Sequence, residues 1–172
     1  DEVDKQQDAD SYVTTMENSG VTVSVSDVYC DGYVLYYTAS IKTDNEGLNQ
    51  ADGIITETKE GPNPSIFVDG VQLSGYASKA FDKSKDGSFV TINQIDLLNP
   101  TDMQEKPVDL KAGEKDAFVV DWDVKQFVGY LWNQWDESGE YANTGKVEGD
   151  WHLRFPVTID RSGNEAFDIN KE

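Results

Sequence analysis

The sequence predicts an all-β protein, an antiparallel immunoglobulin-like β-sandwich without an internal disulfide. Three observations lead there. Apolar residues recur at every second position in several short runs, Asp-Gly pairs stand between those runs, and no regular series of helical patterns is interleaved among them. Cys30 is the only cysteine, so no internal bridge and no CxxC metal or redox motif can form.

The first run sets the pattern. Val21, Val23 and Val25 alternate with Thr22, Ser24 and Ser26, which gives a strand one apolar face. After Asp27 the apolar positions move to the other parity, Val28 and Cys30, and one extra residue at a β-bulge would return both groups to the same face. Asp31-Gly32 tolerates positive φ and turns the chain into Tyr33–Ile41. There Leu35, Tyr37, Ala39 and Ile41 share one face and Val34 and Tyr36 the other, the mark of a central strand at least partly covered on both faces. The polar, Gly-punctuated TDNEGLNQADG is expected to be a loop, IITET a short strand and KEGPNPS a further loop.

SIFVDGVQLSG repeats the device as a second hairpin about Asp69-Gly70. Two more strands, about 75–81 and 88–97, meet at the polar tip DKSKDG, and NPTDMQEKP ends the second with chain breakers. AFVVDWDV alternates Phe118, Val120, Trp122 and Val124 against Asp121 and Asp123. DWHLRFPVTI places Trp151, Leu153, Phe155, Val157 and Ile159 inward and His152, Arg154 and Thr158 outward. Pro156 fits such a strand where its missing N–H faces solvent or a bulge. Short helical segments are expected in two places. DADSYVTTMENSG spaces Tyr12 and Met16 four apart, and the 125–135 region sets Phe127, Tyr130, Leu131 and Trp135 near helical spacing, although GYLWNQW also reads as a strand. Residues 1–18 are then an N-terminal linker or short helix, and 19–172 a single sandwich domain.

A chain of 172 residues can bury one sizeable core, since single cores grow to roughly 250 residues. With 33 acidic against 14 basic residues, the formal charge of -19 disfavours both nucleic-acid backbones and anionic membrane surfaces. Such acidity admits cationic partners or divalent cations, but a solvated acidic surface is the simpler reading. No apolar run is long enough to span a bilayer. The opening DEVDKQQDAD lacks an initiator Met and reads as the start of a processed or trimmed piece, with any anchor outside this chain.

Three stretches, in order, carry a resemblance: SGVTVSVSDVYCDGYVLYYTASIKTD, IFVDGVQLSG and GDWHLRFPV. Together they resemble the extracellular domain of unknown function found in Gram-positive membrane-anchored proteins of the anti-sigma-factor type. The resemblance covers most of residues 19–160. It implies an immunoglobulin-like sandwich at the cell surface, joined through a transmembrane helix to a small cytoplasmic regulatory segment. It carries no catalytic residues. The stretch YLWNQWDESGEYANTGKVEG is longer than the family's usual connection and is a place for an added functional loop.

Three groups of side chains are candidates for chemistry. Asp82, Ser84 and Asp86, followed by Gly87, match the first half of a calcium loop. Asn93 replaces the bidentate Glu of its twelfth position and the flanks read as strands, so a polar hairpin tip is preferred and calcium is admitted but not favoured. Trp132, Trp135 and Tyr141 lie among polar loop residues and form a candidate ligand-binding surface, whereas Trp122 and Trp151 occupy core parity. His152 reads as an exposed strand residue, Cys30 as a small half-buried hydrophobe, and no nucleophile or phosphate-loop motif is present. The expectation is therefore a non-enzymatic extracellular sensing or interaction domain of a membrane-anchored regulator. It has no cofactor, and its partner is an extracellular protein or cell-envelope ligand. A carbohydrate-binding module of a secreted or surface protein is the alternative.

Overall fold

The computed structural model describes residues 12–56, 64–74 and 79–165. It is built almost wholly from antiparallel strands. β1 (Thr15–Asn18), β2 (Val21–Cys30) and β3 (Val34–Thr43) follow one another, and then come the single-turn helix α1 (Glu46–Asn49) and β4 (Gly53–Ile55). The hairpin of β5 (Ser65–Val68) and β6 (Val71–Leu73) precedes β7 (Phe81–Lys83) and β8 (Phe89–Asp96). The long strands β9 (Ala117–Trp135) and β10 (Tyr141–Thr158) complete the sheet.

One layer is β1-β2-β3-β8 and the other is β10-β9-β5-β6, and the short strands β7 and β4 hand one layer to the other. At the opposite corner Val13 exchanges both backbone hydrogen bonds with Arg154 of β10, at 2.8 and 2.9 Å. The strands thus close into a flattened ring. The all-β sandwich that the alternation predicts is the fold observed.

Local chemistry explains the register. The β2–β3 ladder skips between Ser26 and Tyr29, where Asp27 takes a φ of 50°. That extra residue returns Cys30 to the core beside Val21, Val23 and Val25, while Val28 stays exposed. The Asp31 carboxylate accepts the Tyr33 and Val34 N–H groups and fixes the turn. β3 is central, paired to β2 and β8, although its outer residue Tyr36 is exposed. Asp69 and Gly70 both have positive φ, which matches the right-handed twist of the β5–β6 hairpin. Pro156 points its nitrogen away from β9, as Arg154 two residues earlier does with the groups that bond Val13.

Four expectations are corrected. Where described, the N-terminal segment is strand and not helix: Thr14 and Thr15 favour extended chain, and Met16 pairs with Val23. Residues 8–11 of that expected helix lie outside the described residues. The helix expected in 125–135 is part of β9, because β4 takes up the backbone groups of residues 128–130 on one edge while β10 takes the other. The loop after Thr43 contains α1, whose Asn45 side chain caps the Leu48 N–H at 3.0 Å and lets Leu48 reach full burial. The strand expected at 75–81 is β7, at Phe81–Lys83, and residues 75–78 of it lie outside the described residues, as does most of the KEGPNPS loop.

The core is aromatic and spans both layers. Tyr37 of β3 packs on Trp122 of β9 and Phe155 of β10, with centroids 5.9 and 5.3 Å apart. Phe81 of β7 meets Trp122 and Phe127, and Phe127 lies edge-on to Trp151 at 4.7 Å. Cys30 is buried with its sulfur accepting the Gly32 N–H, and burial pushes its thiol above the ordinary value, so it behaves as a small hydrophobe. Trp151 Nε1 donates to the Val21 carbonyl at 2.9 Å and ties β10 to β2, whereas the equally buried Trp122 Nε1 has no acceptor among the described residues. Both rings lose similar volume on replacement by Phe, but only Trp151→Phe removes a buried hydrogen bond. It is expected to cost about 0.5–1.5 kcal/mol more than Trp122→Phe in urea unfolding. Equal losses would contradict the role of that bond.

Candidate functional site

Beyond Tyr130 the β9–β10 hairpin has left its neighbours β4 and β5, and it carries the aromatic residues singled out in the sequence. Asp52 grips its base: its N–H donates to the Tyr130 carbonyl at 2.9 Å, and its carboxylate accepts the Trp132 N–H at 3.1 Å. The Trp132 indole then lies flat over Gly53. A β-carbon built on Gly53 would come within 2.1 Å of Trp132 Cζ2, so only glycine leaves room for this ring.

The pairing is irregular here for a reason. Tyr141 opposes Trp135, but the next residue, Ala142, opposes Leu131, which leaves Trp132, Asn133 and Gln134 as extra residues on β9. The bulge turns Trp132 back toward the body of the domain, where two further rings meet it and a third stacks on one of those. Trp132 stacks on Tyr130 with centroids 6.2 Å apart and 9° between planes, and meets Tyr141 edge-on at 5.2 Å. Trp135 stacks on Tyr141 at 6.1 Å and 26°. The structure thus gathers Trp132, Trp135 and Tyr141 into one ladder. Trp132 is the half-buried seat, while Trp135 and Tyr141 are 63% and 45% exposed.

The turn that joins the strands is closed by Asp136. Its Oδ1 accepts the Ser138 N–H at 2.9 Å, the Ser138 hydroxyl at 2.6 Å and the Glu140 N–H at 3.0 Å. The Ser138 hydroxyl, then the Glu140 N–H, hold this carboxyl below its ordinary value of 3.8. Asp136, Glu137 and Glu140 are exposed in this turn between Trp135 and Tyr141, and the sequence from Gln126 to Gly145 contains no Lys or Arg.

The other candidates resolve differently. The Asp86 carboxylate folds back on its own turn, accepting the hydroxyls of Ser84 and Ser88 and the Ser88 N–H. These bonds, the Ser84 hydroxyl first, hold it well below the ordinary carboxylate range. The Ser84 hydroxyl is thereby engaged with Asp86, and Asp82 sits on β7, paired with Gly53 and Val90. Among the described residues no three acidic, His or Cys side chains gather where they could hold a metal ion. In the turn after Asp160, the Asp160 carboxylate accepts from the Ser162 N–H and hydroxyl at the start of a short helix, Ser162–Glu165.

Two features escaped the sequence reading. His152 faces outward as expected, but its Nε2 meets Asp121 at 2.9 Å and its Nδ1 meets Asp123, and Arg154 lies 3.9 Å from Asp121. The signal was the outward parity of Asp121 and Asp123 opposite that of His152 and Arg154 on the paired strand. Both ring nitrogens face carboxylates, so neither is left to activate a hydroxyl. At the far end of the hairpin a cavity of about 440 Å³ opens between Tyr33, Leu97, Leu98, Leu110, Lys111 and Arg161. Arg161 is fixed there by donating to the Ala112 and Lys115 carbonyls. Loops of no marked pattern build it, so no periodicity announced it.

No protein-family model and no curated protein matches this chain. Among solved structures it is similar to the crystal structure of a conserved domain protein from Bacillus anthracis, with 17% identity and a TM-score of 0.45. The alignment covers 87% of this chain and 41% of that one, so this chain matches less than half of the other protein's length.

Two outcomes follow from this geometry. Gly53→Ala should displace Trp132, change the near-ultraviolet circular dichroism of the ladder and cost about 1–3 kcal/mol. Gly113→Ala, whose added carbon meets nothing within 4 Å, should do neither, and similar spectra for both would refute the seat. Because the folded-state value of Asp136 is depressed, its cap contributes fully above 3.8 and is lost only as pH falls through the lower folded value. The Trp135–Tyr141 fluorescence signature should therefore persist down to that pH and fade below it. Loss at a higher pH would contradict the cap.

Proposed function

We propose that this chain is a non-enzymatic extracellular sensing or interaction domain of a membrane-anchored regulatory protein, and that the β9–β10 tip is its contact surface. The observation that carries this reading is the pair Trp135 and Tyr141. Two large rings are held open to solvent by a bulged, capped hairpin, when burial of either would be favourable. A rigid scaffold that presents exposed aromatic rings at a loop end is the usual arrangement of a recognition site. The cell-surface location and the regulatory parent rest on the three-stretch resemblance. No helix among the described residues is long and apolar enough to cross a membrane.

A carbohydrate-binding module is the second reading. The near-parallel planes of Trp135 and Tyr141 favour it, since offset flat rings offer a face to a sugar. Hydroxyl-radical footprinting separates the two readings. With Gram-positive cell-envelope extract, Trp135 and Tyr141 should become protected while the exposed Tyr29, Tyr33 and Tyr36 remain reactive. Protection that soluble peptidoglycan fragments or mucin or plant glycans reproduce alone would select the second reading. Protection confined to the three control tyrosines, or none, would reject the tip as the contact surface.

A further inference from the structure

Granted that the tip is the contact surface, its surroundings bear on what it contacts. Asp136, Glu137 and Glu140 each lie within two residues of Trp135 or Tyr141 in sequence, and no basic residue occurs between Gln126 and Gly145. The Asp136 cap fixes the turn that carries these carboxylates. The aromatic faces themselves carry negative potential, from the ring quadrupole. A neutral sugar gains from the rings and donates its hydroxyls to the carboxylates, but it neutralises none of their charge. An anionic ligand is repelled by the turn and by a chain of charge -19. The cavity at the other end gives no comparable direction, because its rim holds Asp31 and Asp109 as well as Lys111 and Arg161.

We infer that the tip receives an arginine-bearing segment of a partner protein, with a guanidinium lying on the exposed Trp135–Tyr141 surface and the turn carboxylates neutralising it. Arginine fits better than lysine. Its planar, weakly hydrated cation stacks on an indole while its edge N–H groups still reach acceptors, whereas an ammonium must give up more water to do so. The acidity of the whole domain speeds the encounter, and the rings supply the local preference. This inference rests on the tip being the contact surface, and its failure can be told apart from failure of that reading.

The test uses the intact chain and a labelled hexapeptide carrying three arginines, beside the same peptide with citrulline, an uncharged isostere, at each arginine. Anisotropy and Trp fluorescence report binding at low and at physiological salt. The arginine peptide should bind, and Trp135→Ala should weaken it by about threefold to thirtyfold, the range of one cation–ring contact. The double change Glu137→Gln with Glu140→Gln, which leaves the rings in place, should also weaken it, and the citrulline peptide should bind at least as poorly as to the Trp135→Ala protein. Citrulline binding as tight as arginine and still lost in Trp135→Ala would overturn the cationic preference while leaving the tip as a contact surface. Arginine binding unchanged by either set of substitutions would show attraction to the overall charge and overturn the inference. No binding of either peptide, together with protection of Trp135 by envelope extract, would also overturn it. If that protection is missing as well, the contact-surface reading falls too.

Discussion

A single strand holds this protein together. β9 runs for 19 residues, and it bonds β10 along one edge and, in succession, β5 and β4 along the other. Because β4 continues through β7 to β8, and β10 reaches β1 through Val13 and Arg154, both layers of the sandwich are tied to this strand. The aromatic core depends on it as well. Trp122 and Phe127 project from β9 into the space where Tyr37 and Phe81 arrive from the other layer. A sandwich whose layers met only through side chains would be free to shear; here backbone ladders close both corners, and the packing of rings has one register to settle into.

The same strand places the candidate site. Once β9 passes the reach of β4, nothing among the described strands covers its free edge, and the sequence changes from paired apolar residues to a bulge, a capped acidic turn and three clustered rings. Asp52 and Gly53, immediately before and at the start of β4, make the transition. One holds the Trp132 backbone and the other leaves room for its ring. The outermost pair, Trp135 and Tyr141, is thereby projected from a stable hairpin instead of a loose loop. Rigid rings lose little conformational freedom on contact, which is the physical advantage of building a recognition surface this way.

Much of this was legible because period-two alternation is a local signal. The parity slip at Asp27 located the bulge, Asp-Gly located both early hairpins, and inward parity identified Trp122 and Trp151 as core. Grouping Trp132, Trp135 and Tyr141 needed only their polar neighbours. What the sequence hid was non-local. Residues 127–131 mimic helical spacing because both Phe127 and Val128 are buried, and only the backbone pairing with β4 and β10 marks them as strand. α1 looked like loop since a lone Leu48 does the burying. The bracketing of His152 by Asp121 and Asp123 required the β9–β10 register, and the ring closure required Val13 to find Arg154, near the other end of the chain.

Native-state hydrogen exchange as a function of denaturant tests the central role of β9 most directly. The account predicts that core amides of β9 beside β5, such as Val120 and Trp122, and those beside β4, such as Val128, merge with the core amides of β3 into one global unfolding isotherm. The amides of Trp135 and Tyr141 should exchange at lower free energy, since only the hairpin itself holds them. If the β5-side and β4-side amides of β9 opened in separate steps, or if β3 retained its protection after β9 had lost its own, the two layers would be independent and the account would be wrong.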